Sequence, residues 1–268
     1  MRYLGLPVIS LLSLVLLGGC SKPEKATENP AAPSAGPAAS AASDSSHAAA
    51  PVPVDKNTVG TVSGTIAFKG AIPKFPPLDM TQDPGCPPDP QAAEVVAVNH
   101  GHLANVFVYV KDGLSAGANP ASPEPVVLDQ KGCRYVPHVL GLMVGQPLKV
   151  LNSDTAGHNV HPMPQSDEDS WNESQMPRGA PIVRAFRHSQ IMMPVQCNQH
   201  PWMKAYISVM PNPYFAVSAA DGTFEIDNLP PGEYTLAAVH EKFGEQTIKI
   251  KVAAKETAKA DFAFAPAK

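Results

Sequence analysis

The chain has 268 residues, of which 44% are hydrophobic and 16% charged, with a formal net charge of −4. That balance supports a packed core, and the lack of any basic run leaves no footprint for a nucleic-acid partner. The 30 prolines and the near absence of a helical apolar period argue against a helical fold and for short strands between turns.

Residues 1–19 carry Arg2 and then the apolar run Val8–Leu17, too short for a stable membrane span but proportioned like a secretory signal. The run ends in Leu17-Gly18-Gly19-Cys20, which resembles a bacterial lipobox. The resemblance implies cleavage before Cys20, acylation of its thiol, and an exported chain anchored to the cell envelope with its folded part periplasmic or extracellular. Ser21 stands where inner-membrane lipoproteins often have Asp, which points to the outer membrane. Residues 20–57 are rich in Ala, Pro and Ser with few large apolar side chains, so they read as a disordered tether. His47 is then a solvated linker residue.

The rest of the chain is predicted to be all-β. Runs rich in β-branched and aromatic residues recur at Thr61–Phe68, Glu94–Val98, Asn105–Val110, Pro125–Asp129, Leu148–Asn152, Gln190–Val195, Ala205–Met210, Thr223–Ile226, Gly232–Val239 and Gln246–Val252. Asp221-Gly222 and Pro230-Pro231-Gly232 read as turns between them.

Three cysteines follow the tether: Cys86, Cys133 and Cys197. In an oxidising compartment an odd number leaves one thiol unpaired or bridging to another chain. Cys197 is followed by His200 and Met203, and His158 lies upstream. One thiolate, two imidazoles and a thioether form the donor set of a mononuclear copper centre, because soft sulfur suits copper(I) and imidazole suits copper(II). Assigning Cys197 to a metal leaves Cys86 and Cys133 as a disulfide. A thioether is a poor zinc ligand, and a zinc site wants four closed ligands or three with an open water.

Residues 124–210 are similar to cupredoxins. Tyr135-Val136-Pro137 precedes a Val144-Gly145 turn and a strand ending at Asn152, and His158-Asn159 and the Cys197–Met203 loop follow in order. The resemblance implies a Greek-key sandwich holding one copper through His158, Cys197, His200 and Met203. It also implies that the His200 edge reaches the surface as an electron port, with Pro201 and Trp202 as an apolar collar. Asn159 is expected to tie the two ligand loops together. The gap between His200 and Met203 is shorter than in most cupredoxins. It is similar to the ligand loop of the binuclear oxidase site, whose second bridging Cys is missing here.

Residues 211–265, with Asp221–Leu229 and Pro230–Leu236, look like the second half of a carboxypeptidase-regulatory-like domain, a pattern shared by the fibronectin-like middle domain of rhamnogalacturonan lyases. Residues 58–123 resemble the first half, so the middle module reads as an insertion between two halves of one sandwich. His161 and Met163 are spare donors near the site, while His100, His102, His138, His188 and His240 read as ordinary loop or strand residues. No nucleophile elbow or Gly-rich oxyanion loop is present, so the chain reads as non-enzymatic. Three functions remain: single-electron transfer to a redox protein partner, copper storage or delivery, and carbohydrate or partner binding at a surface.

Overall fold

The computed structural model describes residues 55, 57–115 and 121–266. The signal-like run, Cys20 and nearly all of the tether lie outside the described residues. Among these residues the architecture is all-β, with a single 3-10 turn at Asp167–Asp169, and no helix is long and apolar enough to cross a membrane.

Two cores divide the sheets. The first strand, Gly60–Phe68, alternates inward and half-exposed residues along its length, as a strand with one buried face must. Beyond the short strand His102–Leu103, its partners come from the far end of the sequence: Thr223–Leu229 pairs antiparallel with it, and Thr257–Lys259 and Phe262–Phe264 pair parallel. A second sheet orders Phe215–Val217, Phe107–Asp112, Gly232–His240 and Gly244–Val252. One cluster fills the space between, including Val62, Ile66, Val108, Leu236 and Phe262. Strands on either side of the middle segment therefore share their sheets and their core.

The middle segment builds its own sandwich. Glu173–Gln175, His158–Pro162, Gln190–Gln196, Lys204–Met210 and Val139–Met143 form a five-stranded sheet. Ile182–Arg184, Leu148–Asn152, Val126–Gln130 and Tyr135–Val136 form the facing sheet. Leu128, Leu142, Val150, Val160, Phe186 and Ile207 are buried between them.

Two departures from the sequence pattern stand out. Glu94–Val98 is a turn that only joins a strand at Val98–Asn99; its valines are apolar because they pack on the first core. Residues 78–86, expected to belong to the first sandwich, leave it and bury Met80 and Cys86 in the second core. Gly85 permits the approach, since a Cβ there would lie 3.0 Å from the Cα of Ala156.

The two sandwiches meet at a third cluster containing Phe107, Tyr109, Val139, Met210 and Ala237. Gly141 makes this contact possible. A Cβ at that position would lie 2.5 Å from the Phe215 ring and 2.7 Å from the Phe107 ring. Gly141→Ala is expected to cost about 1–3 kcal/mol through overpacking, read as a lower urea midpoint. An unchanged midpoint would show that the rings rotate aside freely.

His240 is buried beside this junction, stacked on Phe243 at 4.8 Å. Burial pushes its imidazole down to about 4 from an unfolded value of 6.5, against the opposing charge of Glu241 and with help from His138. Between these values the unfolded chain binds more protons, so the stability held above the unfolded pKa falls as pH drops toward the folded one. The loss should be roughly 3 kcal/mol. Urea melts over this window should show it in the native protein and show a flatter acid limb in His240→Gln.

Candidate metal centre

His158, Cys197 and His200 converge at one end of the second sandwich. His158 opens the strand His158–Pro162, and Cys197 follows the neighbouring strand Gln190–Gln196 directly. The antiparallel register, with Gln196 opposite His161, sets the two loops side by side; a one-residue slip would turn every one of these side chains to the wrong face. The turn from 197 to 203 closes on itself: the Met203 N–H donates to the His200 carbonyl at 2.9 Å, and the Cys197 N–H donates to the Met203 carbonyl at 3.2 Å.

All three donor side chains are buried, His158 completely, and their ligand atoms lie within 4.8 Å of one another. The Nδ1 atoms of His158 and His200 stand 2.9 Å apart, and Cys197 Sγ lies 3.7 Å from His200 Nδ1. Met203 is buried in the same apolar cluster as Cys197.

The opposite nitrogens are committed elsewhere. His158 Nε2 meets Asp154 Oδ2 at 2.9 Å, and His200 Nε2 meets Asp83 Oδ2 at 3.0 Å. A carboxylate accepts only, so each ring donates its Nε2–H, and in the neutral ring Nδ1 is the acceptor. At 2.9 Å the two Nδ1 lone pairs repel unless a proton or a metal cation lies between them. Burial lowers the His158 pKa, with Asp154 opposing the effect and the facing His200 adding to it. The Asp83 carboxyl is held below the usual range, first by the Gly85 N–H and then by His200. Soft sulfur beside two imidazoles is a fitting donor set for copper.

Asn159 ties the loops together. Its Oδ1 accepts the Asn198 N–H at 2.6 Å and faces Cys197 Sγ at 3.3 Å, its backbone N–H points at the same sulfur at 3.5 Å, and its Nδ2 donates to Asn172. Tyr135 donates to the Asn159 carbonyl at 2.5 Å, and burial followed by the nearby Cys197 pushes the phenol pKa up.

The expected surface edge at His200 is absent. The ring is 3% exposed, because Asp83 closes its Nε2 side and Trp202 lies over it at 5.0 Å. Trp202 is fixed in turn by donating to the Cys133 carbonyl at 3.1 Å. Cys86 and Cys133 form a disulfide with Cα atoms 5.5 Å apart, which fastens the segment bearing Asp83. Neither Asp83 nor Asp154 was among the sequence candidates. Asp154, four residues before His158, had a readable spacing; Asp83 comes from the other side of the disulfide and had none.

Among the described residues, the other histidines lie apart from the cluster. His161 Nδ1 is 3.3 Å from the Asn198 side chain, His138 contacts Glu241 and the Lys204 carbonyl, and His188 contacts Asp169. Met163 is exposed.

Residues 198–265 match the family described as carboxypeptidase regulatory-like domain. The match begins inside the ligand turn and takes in the strand Lys204–Met210, which pairs within the other sandwich. No curated protein sequence matches the chain significantly. Solved structures similar to it include a copper-containing nitrite reductase from Thermus scotoductus SA-01, 21% identical with a TM-score of 0.31, the match covering 38% of this chain and 26% of that one. A Cu(I) amicyanin variant is 20% identical over 32% of this chain and 81% of its own, with a TM-score of 0.29. A purple cupredoxin from Nitrosopumilus maritimus is 18% identical over 31% of this chain and 97% of its own, with a TM-score of 0.26.

Asp154→Ala is expected to lower metal-ion affinity by about 10–100-fold, the usual result of losing a carboxylate behind a ligand imidazole. It should also release His158 into two tautomers, visible in 15N-edited NMR. Unchanged affinity with one unchanged tautomer would show that the carboxylate only fills space.

Proposed function

We propose that this chain binds one copper ion through His158, Cys197 and His200, with Met203 as a weak axial donor, and carries single electrons at the cell envelope. The observation that carries the reading is the pair of facing Nδ1 atoms at 2.9 Å, with both Nε2 atoms taken up by carboxylates and a thiol alongside. When bound, copper supplies a one-electron couple.

The protein side of that chemistry is preorganisation. Asp154 and Asp83 hold the imidazoles in one tautomer and one orientation, and Asn159 fixes the sulfur and the turn that carries it. Burial of all three donors keeps water from adding as a further ligand. A site that is rigid in advance has little geometry to change when charge is gained or lost. In this reading Cys20 is lipidated, the tether reaches from the outer membrane, and a redox protein is the partner.

The covered His200 favours a second reading, copper storage or delivery, because the imidazole edge that would pass electrons outward lies beneath Asp83 and Trp202. Reversible reduction without loss of metal separates the two.

Copper loading should produce an intense thiolate-to-copper absorption band. Cys197→Ser should abolish that band, and His158→Ala or His200→Ala should weaken binding and admit added imidazole. Met203→Leu should keep the colour and raise the reduction potential, since the axial thioether is weak and its loss makes the surroundings less polar. His161→Ala should change nothing. A band that survives Cys197→Ser, or copper lost with His161→Ala but kept with His158→Ala, would overturn the assignment.

A further inference from the structure

A second layer of donors lies behind the two imidazoles, and it has the same composition on each side. Around His200 Nε2 stand Asp83 Oδ2 at 3.0 Å and Cys86 Sγ at 4.0 Å. On the His158 side Asp154 Oδ2 lies 2.9 Å from Nε2, and one ligand atom each of His158, Asp154 and Cys133 lie within 4.8 Å of one another. The same carboxylates hold the backbone next to each cysteine. Asp83 accepts from the Gly85 N–H at 2.7 Å; Asp154 accepts from Gly132 at 2.6 Å and from Cys133 at 2.8 Å. Both sulfurs belong to buried residues and are joined as the disulfide.

We propose that reduction of Cys86–Cys133 turns this layer into a second metal site, separate from the His158/Cys197/His200 centre. Its ligand would be a thiophilic d10 cation held by the two thiolates with Asp83 and Asp154 beside it. The reductant is a dithiol. Its first thiolate attacks one sulfur and releases the other as a thiol; its second closes the reductant's own disulfide and frees the remaining sulfur. Two electrons and two protons thus pass to Cys86 and Cys133, and metal binding then displaces both thiol protons.

The geometry needs little change. Metal–thiolate bonds of about 2.3 Å place two tetrahedral sulfurs roughly 3.8 Å apart, which two cysteines with Cα atoms 5.5 Å apart reach by rotating their side chains. The loops need not reorganise, because the carboxylates fix both by backbone hydrogen bonds that do not involve sulfur. The negative charge of thiolates and carboxylates is offset by the cation, by the Nε2–H donors of the two histidines and by the three backbone N–H groups. Thiolates select cuprous ion strongly over hard cations.

The test counts cuprous ions on the full chain carrying Cys20→Ser, so that the N-terminal thiol does not contribute. A chromophoric copper(I) chelator serves as competitor. Ascorbate keeps copper reduced and leaves disulfides intact; a phosphine also cleaves them. The expected stoichiometry is one ion with ascorbate and two after phosphine, while Cys86→Ser/Cys133→Ser should stay at one under both conditions. Adding Cys197→Ser to the native pair should weaken the first ion and leave the phosphine-dependent ion in place. A single ion under both conditions, with three free thiols after phosphine and an unchanged β circular dichroism spectrum, would overturn the proposal. Loss of β-structure on reduction would also overturn it, since the site requires both loops in position. No ion with ascorbate, but one after phosphine, would instead defeat the first centre and keep the second.

Discussion

Two imidazole nitrogens that face each other at 2.9 Å form the constraint around which this end of the molecule is built. Each ring is held from behind by a carboxylate. Those carboxylates come from sequence positions far apart, one on the loop leading into the His158 strand and one on an excursion from the other sandwich. The excursion is fastened by a disulfide, by the close approach of Gly85 to Ala156, and by Met80 in the core. Each fastening keeps an acceptor fixed on a ring, and each ring leaves its bare nitrogen turned inward.

The sandwich arrangement makes this possible at modest cost. Strands before and after the middle segment complete one another's sheets, so that segment must begin and end close together. A self-contained sandwich meets that requirement, and its loops are free to carry chemistry while its sheets stay rigid. The junction between the two cores is itself packed, with Phe107 and Phe215 lying over Gly141. The excursion therefore delivers Asp83 from a platform that is fixed relative to the ligand loops.

Enclosure also shapes the proposed chemistry. With His200 beneath Asp83 and Trp202, the donor set is shielded from water and from direct contact with a partner. Shielding strengthens every polar contact within the site and restrains the geometry change on electron gain or loss. In the proposed function it would also move the point of electron entry away from the imidazole edge that the cupredoxin resemblance implies. The mirrored carboxylate–cysteine layer puts a redox-sensitive bond immediately behind the ligands, so the covering and the site share their residues.

Much of this was readable from the sequence because it is local or periodic. Strands such as Leu148–Asn152 and Gly232–His240 alternate or run apolar between turn residues, and their bounds follow from that pattern. Cys197, His200 and Met203 sit within one short turn, so their grouping is visible in spacing alone, and setting Cys197 aside left Cys86 and Cys133 to pair, as they do. Glu94–Val98 misled because an apolar run reports burial and not backbone conformation; here a turn buries it. Asp83, the covering of His200 and the facing of the two Nδ1 atoms were decided only by the tertiary structure. They depend on which loops meet at the end of a sandwich, and on a segment crossing from one core to another. No local pattern encodes such a crossing, because its energy comes from contacts made only after both sandwiches have formed.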